Sequence, residues 1–473
     1  MPSTNLKGDE DSFPIVMELP STLTAVDAFR RLSNLPHMIY FDSGVGFGRL
    51  GRYSFIAADP FDWIQQCDIE FGPLGELQSR VDQYQAASRK DLPPFQGGLA
   101  GLFGYELGRS LERIPVPRMT DFPIPALAIG FYDVVIAFDH EQDQTWLISQ
   151  GFPEKELSAR RRRAQERITQ FLNWLENPPQ ATSTNEKYPI NSLAPQFDVG
   201  LGEVTSNLSA INYQHMIERA VEYIHAGDVF QVNLSQRLLC PAKTSSPELY
   251  LKLRKRNPAP YAGYFDLGDW QICSSSPECF LQVRDHWAET RPIKGTRGRT
   301  HSPEADLFTG NELQLSEKDR AENVMIVDLM RNDFSRVCTS DSVHVAEFCQ
   351  VETYAHVKHL VSSVRGELAP NATPLDLLRA CFPGGSITGA PKIRAMEIIA
   401  ELEPTARGAY CGSLGYLGFN GQMDSSILIR TITAGGGWWQ MPVGGGIVAQ
   451  SDPQDEYRET WHKARGMIAS LDL

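Results

Sequence analysis

Short apolar runs separated by Gly, Pro and Asp dominate residues 11–150, and this pattern predicts mostly β-strands. Residues 38–41, 53–57 and 128–137 are three such runs. Residues 97–105 contain too many glycines for a stable helix interior, so they predict a closely packed strand or a turn. The N-terminal part of the chain is therefore expected to be rich in β-sheet.

Helical periodicity marks three longer stretches. Residues 157–176 place apolar side chains at helical spacing, and a run of four arginines is expected on the solvated face of that helix. Residues 210–226 predict a second helix, which ends at a glycine. Ser316 and Asp319 have the spacing of a helix cap, and they predict a third helix that runs to about residue 331.

Pro, Ser, Thr and Asn become frequent after residue 176, which is typical of an exposed linker. We therefore divide the chain into an N-terminal module at 11–176, a linker at 177–207 and a second module at 208–473. The second module combines its helices with several strand-like runs, at residues 229–235, 263–267, 271–275 and 280–283.

Composition narrows the class of protein. The 473 residues are 42% hydrophobic and carry a net charge of −14, which argues against a general binder of nucleic acid or of an anionic membrane. No run of about 18 apolar residues is long enough to span a membrane, and residues 1–10 lack the apolar core of a signal peptide. The eight cysteines include no Cys-x-x-Cys pair, so we expect a cytoplasmic protein with reduced thiols.

One basic stretch stands out in this acidic chain. Lys294 lies between Pro292 and Gly295, which predict a short turn that approaches a ligand closely. Three arginines lie near it in the sequence: Arg291, Arg297 and Arg299. A partly buried lysine beside such charges would lose its proton easily and become nucleophilic. An exposed basic loop is the simpler interpretation, and the stretch alone leaves both open.

Two pairs of carboxylates share a helical spacing. Asp319 and Glu322 are three residues apart, as are Glu456 and Glu459, and Lys463 follows one turn later on the same face. Either pair alone is typical of surface charge. Two pairs in helices flanked by glycine-rich turns, however, predict a site for a hard cation, and oxygen ligands favour Mg²⁺ over zinc.

Glycine-rich segments suggest a place for an anion. Residues 383–392, which include Ser386 and Thr388, precede a predicted helix at 393–402 and resemble an anion site at a helix N-terminus. The spacing of a nucleotide P-loop is absent. A second run, Gly444, Gly445 and Gly446, offers further backbone donors.

Two further side chains have two open interpretations each, and one glycine-rich segment matches a known pattern weakly. Glu278 follows a Ser-Pro turn, and it is either a general acid with a raised pKa or a turn residue facing water. Arg430 is either a clamp for a carboxylate or part of a salt bridge at a strand edge. Residues 46–51 match the dinucleotide pattern G-x-G-x-x-G, but a strand-like segment follows where a helix is required, so we interpret them as a loop.

Five motifs, taken together and in order, resemble those of the chorismate-utilising enzymes. They are residues 292–296, 319–323, 359–366, 383–392 and 444–448. This family includes anthranilate synthase component I, aminodeoxychorismate synthase component I, isochorismate synthases and salicylate synthases. The N-terminal module is similar to that of the family through residues 40–43, 53–55 and 97–108, so the resemblance covers nearly the whole chain.

The resemblance implies an α+β fold with two packed, antiparallel-rich sheets forming a large β-sandwich and helices on the outside. It also implies that the two modules interleave around one active site. Carried over position by position, the resemblance implies that Mg²⁺ is held by Glu322 and Glu459, with support from Asp319 and Glu456. The ring carboxylate of chorismate would be bound by Lys463 and Gly444 to Gly446, and its enolpyruvyl carboxylate by Tyr410 and Arg430. The pocket would be lined by Thr296, His359 and Ser386, and the departing C4 hydroxyl would be protonated by Glu278.

Two positions distinguish members of the family. Isochorismate and salicylate synthases resemble each other in having a water-activating lysine where this chain has Gln231. Anthranilate synthases typically have alanine where this chain, like aminodeoxychorismate synthases, has Lys294. The resemblance therefore implies attack by the Lys294 amine on C2, followed by entry of ammonia at C4. The product would be 4-amino-4-deoxychorismate, on the route to 4-aminobenzoate and folate, made by a transferase of the transaminase class.

The resemblance also implies a partner. No nucleophile-elbow pattern surrounds a cysteine, so ammonia is expected from a separate glutamine amidotransferase subunit. Residues 40–43 read Tyr-Phe-Asp-Ser where feedback-regulated anthranilate synthases carry Leu-Glu-Ser, so inhibition by tryptophan is not implied. Anthranilate synthase component I is the second hypothesis, and a non-catalytic or nicotinamide-binding protein is the third.

Overall fold

The structure is a computed structural model that describes residues 13–43, 48–67, 72–180, 187–299, 302–353 and 357–472. Its helices are α1 (Ala25–Leu32), α2 (Pro73–Val81), α3 (Gly108–Leu111), α4 (Leu157–Glu176), α5 (Ala210–His225), α6 (Ser246–Arg256), α7 (Pro303–Leu315), α8 (Glu317–Ser335), α9 (Pro374–Cys381), α10 (Lys392–Leu402) and α11 (Pro453–Ile468).

The strands are mostly short. They are β1 (Ile15–Leu19), β2 (Ile39–Asp42), β3 (Tyr53–Ala57), β4 (Asp62–Gln66), β5 (Gly98–Phe103), β6 (Leu127–Tyr132), β7 (Val134–Asp139), β8 (Gln144–Ser149), β9 (Phe197–Leu201), β10 (Val204–Ser206), β11 (Gln231–Pro241), β12 (Tyr261–Asp266), β13 (Trp270–Ser276), β14 (Cys279–Arg284), β15 (Trp287–Arg291), β16 (Ile293–Gly298), β17 (His344–Thr353), β18 (Val357–Glu367), β19 (Gly389–Ala390), β20 (Ser413–Gly418), β21 (Met423–Ile427), β22 (Thr431–Gly435) and β23 (Trp438–Ile447).

Two large sheets organise the molecule. The first has the order β1-β8-β7-β3-β2-β12-β13-β22-β23-β11-β10-β9, with β19 beside β11. The second has the order β16-β18-β15-β14-β21-β20-β5-β6-β4, with β17 beside β18. The neighbouring strands within them run antiparallel, as in β2 with β12 and β5 with β20. The expected α+β fold with two antiparallel-rich sheets is confirmed.

Strands from both sides of residues 177–207 share each sheet. In the first sheet β2 pairs with β12, and in the second β5 pairs with β20. The predicted linker also contains β9 and β10, which extend the first sheet through β11, so its described part is not an unstructured connection. The module boundaries themselves stay a prediction.

The apolar run at 128–137 is two strands rather than one. β6 belongs to the second sheet and β7 to the first, and the chain crosses between the sheets at Asp133. The Asp133 carboxylate is buried and lies 3.2 Å from the Arg167 guanidinium of α4. A buried carboxylate is tolerated when it is paired in this way, and a reading of apolar periodicity does not reveal such a partner.

Apolar side chains fill the space between the sheets. Phe55 of β3 and Tyr416 of β20 come from different sheets, and their ring centroids are 5.7 Å apart. Phe95 stacks on Tyr416 with a centroid distance of 4.4 Å. Glycines let the strands of the second sheet approach closely, since a Cβ on Gly98 would lie 2.2 Å from a neighbouring carbonyl oxygen. The prediction of a closely packed strand over 97–105 is confirmed.

The longer helices also agree with their predicted extents. α4 covers the predicted 157–176, α5 begins at the predicted position, and α8 is capped by Ser316, whose hydroxyl accepts from the Asp319 N–H at 3.3 Å. Within the described ranges, no helix is both long enough and apolar enough to cross a lipid bilayer. All eight cysteines are free thiols, as expected.

Candidate active site

A cavity of about 580 Å³ brings together most of the predicted site residues. Those that line it are Glu278, Lys294, Asp319, Glu322, His359, Ser386, Tyr410, Arg430, Gly444, Gly446, Glu459 and Lys463. Thr296 lies opposite His359 in the pairing of β16 with β18, but its side chain is outside the described residues. Gly445 and Glu456 lie directly behind the lining residues.

Lys294 lies on an edge strand, not on the predicted turn. β16 pairs with β18, and the register shifts between Lys294 and Thr296. Gly295 has a φ of 69° at this irregularity, and a Cβ there would lie 2.9 Å from the Asp319 carboxyl carbon. Only glycine fits both the conformation and the close approach. The bulge therefore gives Lys294 its position in the cavity and brings α8 against the strand.

The three arginines do not surround Lys294. Arg291 binds Glu289, Glu347 and Glu352, and it lines a different cavity. Arg299 is exposed. Only Arg297 lines the cavity of Lys294, where its guanidinium lies 3.2 Å from the carboxylate of Asp319. The expectation that all three arginines lie beside Lys294 was wrong, because strand geometry and the bulge send these side chains in different directions.

The environment of Lys294 lowers the pKa of its amine. Burial lowers its pKa, whereas the carboxylates of Glu322 and Glu278 act in the opposite direction, and the net result is a lowered pKa. The amine donates to the carbonyl oxygen of Ser386 at 3.2 Å. A larger fraction of neutral amine makes this lysine a better nucleophile than an exposed one.

Glu278 lies in the short connection between β13 and β14 and is only 4% exposed, so the alternative of a residue facing water is wrong. Burial raises its pKa, although the Ser386 hydroxyl and the Lys294 amine oppose the shift. Ser386 Oγ donates to Glu278 Oε1 at 2.7 Å. A carboxyl group that keeps its proton to higher pH than usual can act as a general acid. Ser386 contacts both groups and therefore joins the acid to the amine.

Three of the four carboxylates predicted on α8 and α11 line the same cavity: Asp319, Glu322 and Glu459. Lys463 binds Glu459 Oε1 at 2.6 Å and the Gly444 carbonyl oxygen at 2.8 Å. Glu456 accepts from the hydroxyl of Ser451 at 2.7 Å. In the part of the chain that the structure describes, no group of three or more His, Cys, Asp or Glu residues is close enough to hold a metal by itself.

These residues nevertheless fit a hard cation that takes only one or two of its ligands from the protein. Mg²⁺ is commonly bound through one or two carboxylates, and it completes its octahedron with water and substrate oxygens. Glu322 and Glu459 offer two carboxylates at the wall of an open cavity. The assignment of Mg²⁺ to them stays a prediction.

Gly445 provides a test of this prediction. A Cβ at position 445 would lie 3.2 Å from both Glu456 Oε2 and Glu459 Oε1, so Gly445→Ala should displace these carboxylates. We expect Mg²⁺ affinity, measured by calorimetry, to fall about tenfold, which corresponds to about 1.4 kcal/mol. Gly75→Ala is the control, because a Cβ there meets no atom within 4 Å. Equal Mg²⁺ affinity in the two variants would contradict the assignment.

The other wall of the cavity carries Tyr410, Arg430 and His359. Tyr410 and Arg430 lie in the connections that precede β20 and β22. Arg430 has a φ of 52°. Burial, reinforced by the Arg430 charge, lowers the pKa of His359 to about 4. His359 is therefore neutral near pH 7.

The pKa of His359 predicts how stability depends on pH. Between its ordinary value of 6.5 and about 4, the unfolded chain binds a proton at His359 and the folded chain does not. The free energy of unfolding should therefore fall by about 3 kcal/mol from this group as the pH falls through that window. His359→Gln should flatten the decline in urea midpoint between pH 6.5 and 4. His344→Gln, at an exposed position, is the control. If the urea midpoint of His359→Gln fell as steeply with pH as that of His344→Gln, this account would be contradicted.

Within the loop at 383–392, Ser386 and Ile387 line the cavity. Residues 389–390 form β19, and Pro391 is the N-cap residue of α10. The anion site at the N-terminus of α10 stays a prediction. Thr388 donates to the Gly384 carbonyl oxygen at 2.9 Å, and Lys392 binds Asp333 at 2.7 Å. Thr388 and Lys392 therefore stabilise the fold, whereas Ser386 lines the cavity and its hydroxyl binds Glu278.

Sequence reasoning missed some lining residues. Asn233 and His462 also line the cavity. Asn233 lies on the strand predicted at 229–235, two residues after Gln231. Side chains two residues apart in a strand share a face, so this alternation was the signal that could have found it. His462 lies next to Lys463 on α11 and gave no comparable signal.

Comparisons with known proteins agree with this geometry. Residues 39–469 match the family described as chorismate binding enzyme. The aminodeoxychorismate synthase component 1 of Escherichia coli is 39% identical over 459 residues, which cover 94% of this chain and 95% of that protein. The anthranilate synthase component 1 of Thermus thermophilus is 38% identical over 459 residues, which cover 95% of this chain and 96% of that protein.

A solved structure is similar over most of its length. The crystal structure of anthranilate synthase component I from Streptococcus pneumoniae has a TM-score of 0.76 and 32% identity, and the match covers 88% of this chain and 92% of that one. The chain therefore belongs to the chorismate-binding enzyme family. Within that family it is a chorismate-utilising enzyme of the anthranilate synthase and aminodeoxychorismate synthase type. The nicotinamide-binding hypothesis loses its support, because β3 follows residue 51 where a helix is required.

Proposed function

We propose that the chain converts chorismate and ammonia to 4-amino-4-deoxychorismate through a covalent intermediate on Lys294. Relatives named for either product match at nearly the same identity, so the choice rests on the site itself. The observation that supports it is a chain of hydrogen bonds from Lys294 through Ser386 to Glu278. Ser386 accepts from the amine at 3.2 Å and donates to the carboxyl group at 2.7 Å. A nucleophile and an acid thus border the same cavity.

The first step forms a bond to Lys294. The neutral amine attacks C2 of chorismate, both ring double bonds shift, and the C4–O bond breaks. The hydroxyl group leaves as water with the proton of Glu278, and the attacking amine then releases a proton that this carboxylate can accept. The lowered pKa of Lys294 and the raised pKa of Glu278 favour the protonation states that this step needs.

The second step replaces the lysine by ammonia. Ammonia attacks C4, both double bonds shift back, and the bond between C2 and the Lys294 nitrogen breaks. The departing amine takes a proton from Glu278, and the new C4 amine returns one. Chorismate and ammonia therefore yield 4-amino-4-deoxychorismate and water, with the enzyme regenerated.

Fixed charges would hold the two carboxylates of the substrate. Arg430 and Tyr410 at one wall are suited to the enolpyruvyl carboxylate, and Lys463 with the glycine run is suited to the ring carboxylate. Mg²⁺ held by Glu322 and Glu459 would supply further positive charge beside the ring carboxylate. Such preorganised charges orient a dianion without solvent reorganisation.

The ammonia source would be a partner. The relatives are named as component 1, and a second component that releases ammonia from glutamine is the chemistry this reaction needs. We propose a glutamine amidotransferase subunit in this role, in the cytoplasm. Free ammonium at alkaline pH should replace it in a test of this chain alone.

Anthranilate synthase activity is the second candidate. The similarity to the anthranilate synthases of T. thermophilus and S. pneumoniae supports it. In that reaction ammonia would attack C2 directly and pyruvate would be released, so Lys294 would have no chemical role.

Product analysis separates the two candidates. The protein is incubated with chorismate, Mg²⁺ and ammonium, and the products are identified by mass spectrometry and by their response to an added lyase. We expect 4-amino-4-deoxychorismate without pyruvate. Anthranilate with an equal amount of pyruvate would overturn the proposal.

A further inference from the structure

Arg407 is a buried arginine that lies behind the wall of the active-site cavity. It belongs to the connection between α10 and β20 and is 6% exposed. Its guanidinium forms a bidentate pair with Glu403, in which Nε donates to Oε2 at 2.9 Å and Nη2 donates to Oε1 at 2.7 Å. This pairing offsets the cost of burying the charge, and it leaves further N–H groups of the guanidinium for other acceptors.

Those N–H groups hold two stretches of the cavity wall. Nη1 of Arg407 donates to the Ile387 carbonyl oxygen at 3.1 Å, and Nη2 donates to the Asn233 carbonyl oxygen at 2.8 Å. Ile387 and Asn233 both line the cavity, but Ile387 belongs to the loop at 383–392 and Asn233 to β11. One guanidinium therefore joins two wall segments that lie far apart in the chain.

The contact with Ile387 acts on the residue next to Ser386. Ser386 Oγ donates to Glu278 Oε1 at 2.7 Å, and the Ser386 carbonyl oxygen accepts from Lys294 at 3.2 Å. Residues 385–387 form a single short 3₁₀ turn, so the orientation of the peptide at Ile387 is coupled to that at Ser386. In an active site a misplacement of about 1 Å can lower the rate about a hundredfold.

The guanidinium is itself held from several sides. Its central carbon lies 4.6 Å from the ring centroid of Tyr105 and 5.7 Å from that of Tyr410, distances at which a cation attracts an aromatic ring. The backbone N–H of Arg407 donates to Glu106 Oε1 at 2.9 Å. Residues of the N-terminal part of the chain thus fix an arginine that contacts the catalytic wall.

Glu403 anchors the same arginine to β11. Its Oε1 also accepts from the N–H and from the hydroxyl of Ser235, each at 2.8 Å. Ser235 lies on β11 two residues after Asn233. A buried network whose members bond one another in this way is rigid.

We propose that Arg407 is a positioning residue, which holds Ser386 in the orientation that binds both Glu278 and Lys294. The proposal rests on the proposed roles of these two residues. Arg407 acts through Ser386 and does not touch the reacting atoms. The alternative is a purely structural ion pair, in which Arg407 only compensates the charge of Glu403.

The variant that tests this role must remove the guanidinium without leaving a buried charge. Arg407→Met alone would leave Glu403 unpaired, which strongly destabilises a protein. Combining Arg407→Met with Glu403→Gln removes both charges and keeps an acceptor for Ser235. We expect kcat of this double variant to fall about a hundredfold. The KM for chorismate should rise less than about tenfold, because only the contact with the Tyr410 ring is lost from the binding wall.

The pH profile separates positioning from stability. The Ser386 hydroxyl favours the ionised form of Glu278, so a weaker hydrogen bond from it raises the pKa of that carboxyl group. The alkaline fall in rate should therefore move to higher pH in the double variant, as in Ser386→Ala. Adding Ser386→Ala to the double variant should shift it no further than Ser386→Ala alone, because both changes act on one hydrogen bond.

The charges around Glu278 are unaltered in the double variant. Lys294 of β16 and Lys463 of α11 act on its pKa, and the thiol of Cys411 is the neighbouring titratable group. All three remain in place. A shift of the alkaline fall therefore reports the hydrogen bond from Ser386.

Arg237→Met combined with Asp121→Asn is the matched control. This pair is also buried and bidentate, with N–O distances of 2.7 and 2.5 Å, and Arg237 lies on β11. Its guanidinium binds Asp121 rather than a residue of the cavity wall. Removing this pair should leave kcat and the pH profile unchanged.

Arg407→Lys tests the structural alternative. Lysine keeps a charge beside Glu403 but lacks the planar fork that reaches two carbonyl oxygens. We expect its urea midpoint to stay near that of the unmodified protein while kcat falls at least about tenfold. This variant carries the test if the double variant does not fold. Full activity in Arg407→Lys would overturn the positioning role.

The remaining outcomes separate this proposal from the proposed function. A folded double variant with unchanged kcat, or with a lower kcat and an unshifted alkaline fall, would overturn the role of Arg407 alone. Unchanged pH profiles in Glu278→Gln and Ser386→Ala would overturn the proposed proton transfer as well. Both candidate reactions lose the C4 hydroxyl, so anthranilate as product would overturn the role of Lys294 but leave the pH test valid.

Discussion

Replacing Lys294 by alanine should reduce formation of 4-amino-4-deoxychorismate by at least about a thousandfold, because the variant loses a nucleophile held beside the substrate. The amine lies in a cavity with Glu278, and its pKa is lowered by burial. The remaining residues would still bind chorismate, so the lower rate should appear as a lower kcat with little change in KM.

Lys294→Arg serves as the control for charge. Arginine keeps a cation in the cavity but cannot lose its proton, so this variant should be as inactive as Lys294→Ala while binding chorismate more tightly. Both are measured by product formation at saturating ammonium and by chorismate affinity in equilibrium titration. Turnover in Lys294→Ala within tenfold of the unmodified protein would show that the amine is not the nucleophile.

Replacing Glu278 by glutamine should lower the rate by about 10²–10⁴-fold, the usual contribution of a general acid. Glu278 must be protonated to act, and burial keeps its pKa above the ordinary value. As the pH rises through that raised pKa, the acid form is lost and the rate should fall. Glutamine cannot titrate, so the part of the alkaline fall that belongs to this group should vanish in the variant.

Ser386→Ala gives a graded comparison with Glu278→Gln. It removes the hydroxyl that donates to Glu278 Oε1 but leaves the Ser386 carbonyl oxygen that accepts from Lys294. Because this hydroxyl favours the ionised carboxylate, its loss should shift the alkaline fall to higher pH. An unchanged pH profile in both variants would assign the proton transfer to another group.

The helical parts of the site could be predicted from the sequence. Asp319, Glu322, Glu456 and Glu459 were found from their spacing of three residues, and α8 and α11 present them as expected. Local rules suffice here, because a helix fixes which side chains share a face. The cap at Ser316 followed from the same kind of local rule.

Features that depend on distant partners could not be predicted in this way. Arg291 was expected beside Lys294, but three glutamates from β15 and β17 bind it in another cavity. Whether Glu278 was buried depended on Ser386, which is 108 residues further along the chain. The crossing at Asp133 depended on Arg167 of α4. Each of these is set by tertiary packing, which periodicity does not report.

The resemblance to a family supplied what periodicity lacked. It placed Tyr410, Arg430, His359 and Lys463 around one substrate, and all four line the same cavity. It did not indicate Asn233, because the contacts of β11 with distant residues appear only in the structure. The site was therefore largely predictable as a set of residues, whereas the contacts of its lining strands were not.

Mass analysis of the protein after exposure to chorismate and Mg²⁺, in the absence of ammonium, tests the central claim most directly. The account predicts an adduct of chorismate less one water on the peptide that contains Lys294, and its discharge as 4-amino-4-deoxychorismate when ammonium is added. The absence of any adduct at Lys294 in a preparation that makes the product once ammonium is present would contradict the account.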